Sequence, residues 1–122
     1  MARVLVIEDE PLVAHLVQQV LSRAGYEVQR ARGGEEGLQR LEGVDLVICD
    51  LVMPGLLGRE TIRRIRAQGG PPVIALSASV TSDRREEALE SGAVAFLGKP
   101  FEPQDLLGVV EWVLQSKNSR AV

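Results

Sequence analysis

Four short apolar runs, each unbroken by a charged residue, most constrain what this chain can fold into. They occupy residues 4–7, 46–49, 73–76 and 93–97. Runs of this length that are apolar throughout are typical of strands covered on both faces, as in a parallel sheet. A fifth segment, residues 26–31, alternates apolar and polar side chains, which predicts a half-exposed strand near a sheet edge.

Helical patterns separate these runs. The first places apolar residues at helical spacing and predicts one apolar stripe, made of Leu12, Val13, Leu16, Val17, Val20 and Leu21. Pro11 suits the first turn of this helix, and Gly25 suits its C-terminal end. Further helices are predicted over residues 35–41, over residues 60–67, from an N-cap at Thr81 through residue 90, and from Pro103 onward.

The resulting order is a strand followed by a helix, repeated five times. Such alternation predicts βαβ units and a doubly wound parallel sheet with helices on both faces, a three-layer α/β sandwich. No repeat or low-complexity stretch divides the chain, and 122 residues fit one hydrophobic core. We therefore expect one domain over residues 1–117 and a flexible polar tail at 118–122.

Composition excludes several classes of protein. The net charge of −3 argues against direct binding to nucleic acid, which needs clustered cations, and the group Arg63, Arg64 and Arg66 is interpreted as a solvated helix face. No apolar run reaches the roughly 18 residues that span a bilayer. The single cysteine, Cys49, predicts a buried core filler with no internal disulfide. With no signal-peptide pattern at Met1, we expect a cytoplasmic protein with no membrane partner.

Polar residues collect at the ends of the predicted strands. Glu8 and Asp9 follow the first, Asp50 follows the third, Ser77 ends the fourth and Lys99 lies just past the fifth. Taken singly, each has an ordinary explanation: a helix cap, a turn residue or a solvated surface group. The carboxyl ends of parallel strands, however, share one edge of the sheet, where ligands bind. The sequence therefore predicts one shared pocket.

At this point the chain resembles a known family. The stretches at residues 6–11, 50–55, 75–78 and 99–101 are similar to those of response-regulator receiver domains of two-component signalling, in order and each after the proper strand. The resemblance extends from residue 3 to about residue 114. It implies a flavodoxin-like (βα)5 fold with strand order 2-1-3-4-5.

The resemblance also implies a role for each residue of the predicted pocket. Asp50 would accept a phosphoryl group, Ser77 would turn toward it, Lys99 would pair with it, and Phe96 would be the aromatic switch. The metal ligands would be Asp9 directly, Glu8 through water, Asp50, and the backbone carbonyl of Val52. The metal would be Mg²⁺ or Mn²⁺.

Physical chemistry supports these roles. Three carboxylates at close quarters repel one another unless a cation neutralises them, and Mg²⁺ prefers oxygen ligands. An aspartate carboxylate is an established nucleophile in phosphoryl transfer, which needs mostly positioning and neutralisation of charge.

Several positions depart from the common family pattern. Glu8 is longer than the usual aspartate, Ser77 replaces the commoner threonine, and Phe96 lacks a tyrosine hydroxyl. Neither Val52 nor Ser79 offers an acid or amide that could position an attacking water, which predicts slow self-dephosphorylation. The Lys99–Pro100 bond is predicted to be cis, on the resemblance together with the tolerance of X–Pro bonds for that form.

The implied partners are a histidine kinase or histidine phosphotransfer domain as donor, and a downstream effector protein or domain, with phosphorylation-dependent homodimerisation left open. A start at Met1 mildly favours an N-terminal or free-standing receiver. Two alternatives stay open: a Mg²⁺-dependent phosphatase or mutase using Asp50 as nucleophile, and a receiver-like interaction domain that is not phosphorylated. Against the first, Val52 supplies no general acid; against the second, none of the expected positions is missing.

Overall fold

The computed structural model describes residues 1–53 and 55–120, with side chains up to residue 116. Within that part, five strands alternate with five helices. In chain order they are β1 Arg3–Ile7, α1 Pro11–Arg23, β2 Glu27–Ala31, α2 Gly34–Leu38, β3 Leu46–Asp50, α3 Gly58–Ala67, β4 Val73–Ser77, α4 Ser82–Ser91, β5 Ala95–Gly98 and α5 Pro103–Arg120.

All five strands form one parallel sheet in the order β2-β1-β3-β4-β5, as the resemblance implies. Alternate side chains of the central strands enter two separate cores, which explains why their sequences are apolar throughout. Leu5 and Ile7 of β1 pack into one core, with residues of α3 and α4, whereas Val4 and Val6 pack into the other, with residues of α1 and α5. The predicted three-layer sandwich is confirmed.

Sheet register determines where the functional side chains lie. Ile7 pairs with Cys49 across β1 and β3, so Glu8, one residue further on, is level with Asp50. On the other side of β3, Asp50 pairs with Leu76 and is therefore one step short of Ser77. The strand order reverses between β1 and β3, and such a switch point leaves a crevice at the carboxyl ends of the strands.

The predicted stripe of α1 is partly wrong. The buried residues of α1 are Ala14, Val17 and Leu21, while Leu12 is 83% exposed and Leu16 is 40% exposed. The sheet covers only one narrow face of the helix, and the small Ala14 lies on that face in place of a larger side chain. The leucines are consequently left on the solvent side.

Other boundaries also differ from the prediction. Strand β5 begins at Ala95, two residues later than expected, and is only half-buried because it is an edge strand with a single neighbour, β4. Helix α3 begins earlier, at Gly58, and α2 is shorter, ending at Leu38. By contrast, β2 is an edge strand as predicted, and Thr81 caps α4 by accepting the Arg84 N–H at 3.3 Å.

Helix α5 reaches residue 120. The side chains of residues 117–120, together with residues 121–122, lie outside the described part, so the expected flexible tail at 118–122 stays a prediction. Pro54 is likewise outside the described residues. No helix in the described ranges is both long and apolar enough to cross a membrane.

Candidate functional site

Three carboxylates converge at the carboxyl end of the sheet. Glu8 and Asp9 come from the loop after β1 and Asp50 from the last position of β3; one oxygen from each lies within 4.8 Å of the others. Glu8 is fully buried and Asp50 is 5% exposed. Burial strengthens the repulsion between like charges because the surroundings screen it less than water does. The cluster therefore needs a cation.

Lys99 supplies one positive charge. Its Nζ lies 2.8 Å from Glu8 Oε1 and donates a hydrogen bond to Asp50 Oδ2 at 3.1 Å. The following peptide bond, Lys99–Pro100, is cis, as predicted. The amine thus bridges the acids that follow β1 and β3, although it follows β5, which is separated from β3 by β4.

The environment shifts the pKa of both partners. Burial raises the pKa of Glu8 to about 7, while Lys99 acts to lower it and Asp50 acts to raise it further. For Lys99, burial lowers the pKa, but Glu8 and Asp50 outweigh that effect, so its pKa is raised overall. The Lys99 ammonium therefore stays charged, whereas the Glu8 carboxyl gains and loses its proton close to neutral pH.

The remaining predicted pocket residues surround Asp50. The Val52 N–H donates to Asp50 Oδ1 at 3.2 Å, and the buried Ser77 Oγ accepts the Ser79 N–H at 3.1 Å. A cavity of about 420 Å³ opens over these groups. It is lined by Asp9, Glu10, Asp50, Val52, Ser77, Ala78, Ser79, Arg84 and Lys99. Its size suits a phosphoryl group with its ligands and water.

Phe96 lies on β5, the strand next to the one that ends at Ser77. It pairs with Ala75 in the register of β4 and β5, is half-buried, and packs against the core beneath α3 and α4. The Arg85 guanidinium stands 5.6 Å from the centre of its ring. A half-buried aromatic side chain can adopt a second packing arrangement, so the position of Phe96 suits the aromatic switch. That role stays a prediction.

Three supporting residues carry no signal that the sequence analysis recognised. Arg30 of β2 donates to the backbone carbonyls of Glu8 and Asp9 at 3.1 to 3.2 Å and so fixes the acidic loop. A Cβ on Gly58 would collide with the Asp50 carbonyl, so glycine lets α3 approach the end of β3. Arg84 lines the cavity itself.

The donor set fits a hard divalent cation. If all three acids are ionised, one ammonium leaves two negative charges without compensation. Oε1 of Glu8 is buried and lies 2.8 Å from Lys99 Nζ. Oxygen ligands with spare charge and capacity are what Mg²⁺ and Mn²⁺ require. Glu8, Asp9 and Asp50 could therefore hold such an ion.

Comparison with known proteins places this architecture in a family. Residues 4–111 match the family profile described as the response regulator receiver domain. The uncharacterized transcriptional regulatory protein YrkP of Bacillus subtilis (strain 168) is 39% identical over 105 residues, 85% of this chain and 46% of that protein. The transcriptional regulatory protein ResD of the same organism is 33% identical over 115 residues, 93% of this chain and 48% of that protein.

The chain thus spans about half the length of these curated relatives. Among solved structures, the chemotaxis protein CheY4 of Vibrio cholerae is 33% identical, with a TM-score of 0.88, over 93% of this chain and 99% of that chain. Sequence, strand order and neighbouring structures agree: this chain belongs to the response regulator receiver domain family of two-component signalling.

Proposed function

We propose that this chain is a phosphoacceptor switch in which Asp50 receives a phosphoryl group from a phosphohistidine on a histidine kinase or phosphotransfer domain. The observation that carries the proposal is the convergence of Asp9, Asp50 and Lys99 in one cavity, with the buried Glu8 carboxyl in contact with Lys99 beside them. Family membership supports signalling by phosphorylation in general terms; the donor, the metal and the readout are our proposals.

The transfer would exchange one bond for another at phosphorus. A carboxylate oxygen of Asp50 forms a bond to phosphorus while the bond to the donor imidazole nitrogen breaks, and that nitrogen keeps the electron pair. Lys99 already contacts Asp50 Oδ2 and neutralises charge on the phosphoryl oxygens as the transfer proceeds. The nucleophile in this step is a carboxylate, so the transfer needs no general base.

Glu8, Asp9, Asp50 and the Val52 carbonyl would hold Mg²⁺ or Mn²⁺ beside the reacting group. When bound, the metal supplies positive charge to the phosphoryl oxygens and orients them. The buried Glu8 carboxylate would then be fully ionised, since a neighbouring cation favours its charged form.

The signal would leave the site through Ser77 and Phe96. In the structure Ser77 Oγ accepts a hydrogen bond from the loop before α4, through the Ser79 N–H. A phosphoryl oxygen on Asp50 would accept a hydrogen bond from the Ser77 O–H and draw the hydroxyl toward it, which would rearrange the loop and let Phe96 repack. The surface made by α4, β5 and α5 would change, and an effector or a second copy of the chain would read it.

The donor would dock beside the cavity on the side of α1. A second cavity, of about 340 Å³, is lined by Glu10, Val13, Leu16, Ala78, Lys99, Pro100 and Phe101, so it adjoins the Asp50 cavity through shared residues. Leu16 is 40% exposed, and the exposed Leu12 lies one turn before it on α1. Ala78 is small, which leaves room for an imidazole to reach Asp50. A cytoplasmic histidine kinase or phosphotransfer domain presents such a group.

Labelling with a small phosphodonor tests the proposal. Acetyl phosphate with Mg²⁺ should produce a phosphoprotein with the lability of an acyl phosphate, and Asp50→Asn should abolish it. Asp83→Asn, which removes an acid from the neighbouring α4, is the matched control and should leave labelling intact. Undiminished labelling of Asp50→Asn would show that the nucleophile is another residue.

Beryllofluoride with Mg²⁺ separates the alternatives. The switch requires tight binding of this phosphoryl mimic together with altered resonances around Ser77 and Phe96. Steady turnover of small phosphomonoesters with no stable phosphoprotein would point to a phosphatase instead. A receiver-like interaction domain that is not phosphorylated would bind neither the mimic nor the donor.

A further inference from the structure

Arg84 stands at the boundary between two cavities. It is the third residue of α4, and its side chain lines both the cavity over Asp50 and a smaller one of about 210 Å³. The smaller cavity also contains Arg59 and Glu87, and Val52 lines both cavities. The Arg84 guanidinium is thus placed to face the Asp50 site on one side and an acidic partner on the other.

In the structure Arg84 is engaged with that partner. Its Nη1 donates to Glu87 Oε2 at 3.3 Å, and the other oxygen of Glu87 lies 3.7 Å from Arg59 Nη1. One carboxylate is therefore shared between two guanidinium groups. The Arg84 side chain is 41% exposed, and ion pairs of this exposure are weak. Glu87 therefore holds Arg84 only loosely.

The position of Arg84 in its helix is also electrostatically unfavourable for a cation. The first turn of a helix carries partial positive charge and favours anions, whereas Arg84 brings a cation there. Lys99, meanwhile, is the only other basic side chain lining the cavity over Asp50 within the described residues. A new dianion in that cavity would thus meet a loosely held guanidinium and a favourable helix terminus on the same side.

From this geometry we propose that Arg84 is a second phosphoryl-binding cation, which exchanges Glu87 for the phosphoryl group on Asp50. The inference rests on the proposed function of Asp50 and adds to it. A phosphoryl group brings about two negative charges and several acceptor oxygens. Guanidinium binds such groups through two parallel hydrogen bonds, which are stronger than a single bond to a half-exposed carboxylate.

The exchange has a structural consequence. When Arg84 leaves, Glu87 is free to pair with Arg59 alone, which changes the link between α3 and α4. The same movement carries the guanidinium across Val52, whose side chain is 60% exposed and offers no polar group to the phosphoryl site. Phosphorylation of Asp50 would thus change the contacts of α4 through Arg84, independently of the rearrangement of Ser77 and Phe96.

Beryllofluoride affinity at saturating Mg²⁺, measured by calorimetry, tests the inference. Arg84→Gln should weaken binding about tenfold, or about 1.4 kcal/mol, and Arg84→Lys should fall between it and the wild type. Glu87→Gln should tighten binding, because it removes the competitor. The matched control is Arg64→Gln, which breaks a similarly exposed pair with Glu60 on α3 and should change affinity less than twofold.

A direct readout accompanies the affinities. In the wild-type protein the Arg84 Nε–H resonance should shift when beryllofluoride binds. Binding by Arg84→Gln within twofold of the wild type, or an unmoved Arg84 resonance in the saturated wild type, would overturn the role of Arg84 while leaving the switch intact. If the wild-type protein itself does not bind the mimic, the proposed function of Asp50 fails first.

Discussion

Lys99 Nζ and Glu8 Oε1 lie 2.8 Å apart beside Asp50, although 91 positions separate the two residues in the chain. The glutamate is wholly buried and the lysine side chain is 14% exposed. The ammonium lowers the pKa of this carboxyl, but burial outweighs it, so the pKa of Glu8 is raised overall. The pair therefore makes the acidic site sensitive both to pH and to any competing cation.

The raised pKa of Glu8 makes the stability of the metal-free protein depend on pH. Below about pH 4.5 the carboxyl is protonated in both the folded and unfolded states, so it contributes no difference. Between there and about 7 only the unfolded state has released the proton, so the folded state loses stability as pH rises, by up to about 3 kcal/mol at 1.4 kcal/mol per unit of pKa shift.

Chemical denaturation from pH 4 to 8, without metal, should reveal this loss as the difference between wild-type protein and Glu8→Gln. Glu60→Gln, which removes an exposed carboxylate, should follow the wild-type curve. Saturating Mg²⁺ should abolish the difference in slope, since the ion favours the charged form. A wild-type curve parallel to that of Glu8→Gln would contradict the burial of an ionisable Glu8.

Lys99 should compete with the metal for the carboxylates. Replacing it with glutamine removes the ammonium from Glu8 and Asp50, so the unphosphorylated protein should bind Mg²⁺ about fivefold more tightly, or about 1 kcal/mol. Calorimetric titration would measure the change. Arg40→Gln breaks an exposed ion pair with Glu36 and removes the same charge far from the site, so its Mg²⁺ affinity should match the wild type.

The same lysine variant separates labelling from response. Lys99→Gln should still be labelled by acetyl phosphate to some extent, because Asp50 is intact. The resonances around Phe96 should then stay close to those of the unphosphorylated protein. A full Phe96 response without Lys99 would show that the amine is not needed to transmit the signal.

The sequence could predict the site because the fold places motifs by register. Each functional residue lies at or just beyond the end of a strand, and parallel pairing brings those ends to one edge. Glu8 and Asp50 are level for that reason alone. The order of strands was available only through the family resemblance, since alternation of strands and helices fits several doubly wound orders.

What the sequence could not predict depends on contacts between elements. The predicted apolar stripe on α1 was partly wrong. The spacing of apolar residues gives the width of an apolar face, but it does not fix which side of the helix faces the sheet. In the structure that side carries Ala14. Arg30 reaches the acidic loop from a neighbouring strand, and Arg84 enters the cavity from a helix that otherwise reads as solvated. An arginine side chain in a segment with an exposed sequence pattern gives no local indication that it reaches a buried site.

Close approach of α3 to β3 makes Gly58 indispensable to the site. A methyl group there would collide with the backbone of Asp50 and Leu51, which cannot give way as a flexible side chain could. We expect Gly58→Ala to lower the free energy of unfolding by about 1–3 kcal/mol, the usual range for overpacking, and to slow labelling of Asp50 by shifting its carboxylate.

Gly108 provides the matched control for that substitution. It lies inside α5, and a Cβ there meets nothing within 4 Å. Gly108→Ala should therefore stabilise the protein by about 0.5–1 kcal/mol through helix propensity. Denaturant titration of both variants gives the comparison. Equal effects of the two substitutions would mean that α3 does not pack against β3 as described.

Cys49 should be unreactive in the folded protein. It is fully buried, and burial raises the pKa of its thiol strongly, with the charges of Asp50 and Glu8 adding to the shift. Alkylation then requires unfolding, so we expect a rate at least about 10³-fold below that of the denatured chain. Modification at a rate near that of the denatured chain would contradict the buried position of β3.

The exposed leucines of α1 should matter only when the phosphodonor is a protein. Leu12 is 83% exposed and lies one turn of α1 before Leu16, which lines the apolar cavity that adjoins Asp50, and a buried apolar anchor at an interface typically contributes more than 1 kcal/mol. Leu12→Ser should therefore slow transfer from a phosphorylated histidine phosphotransfer domain about tenfold, while labelling by acetyl phosphate stays unchanged. Leu89→Ser, which removes an exposed leucine from α4, should leave both rates intact. If Leu12→Ser transferred normally from every protein donor that labels the wild type, the docking face would have to lie elsewhere around the cavity.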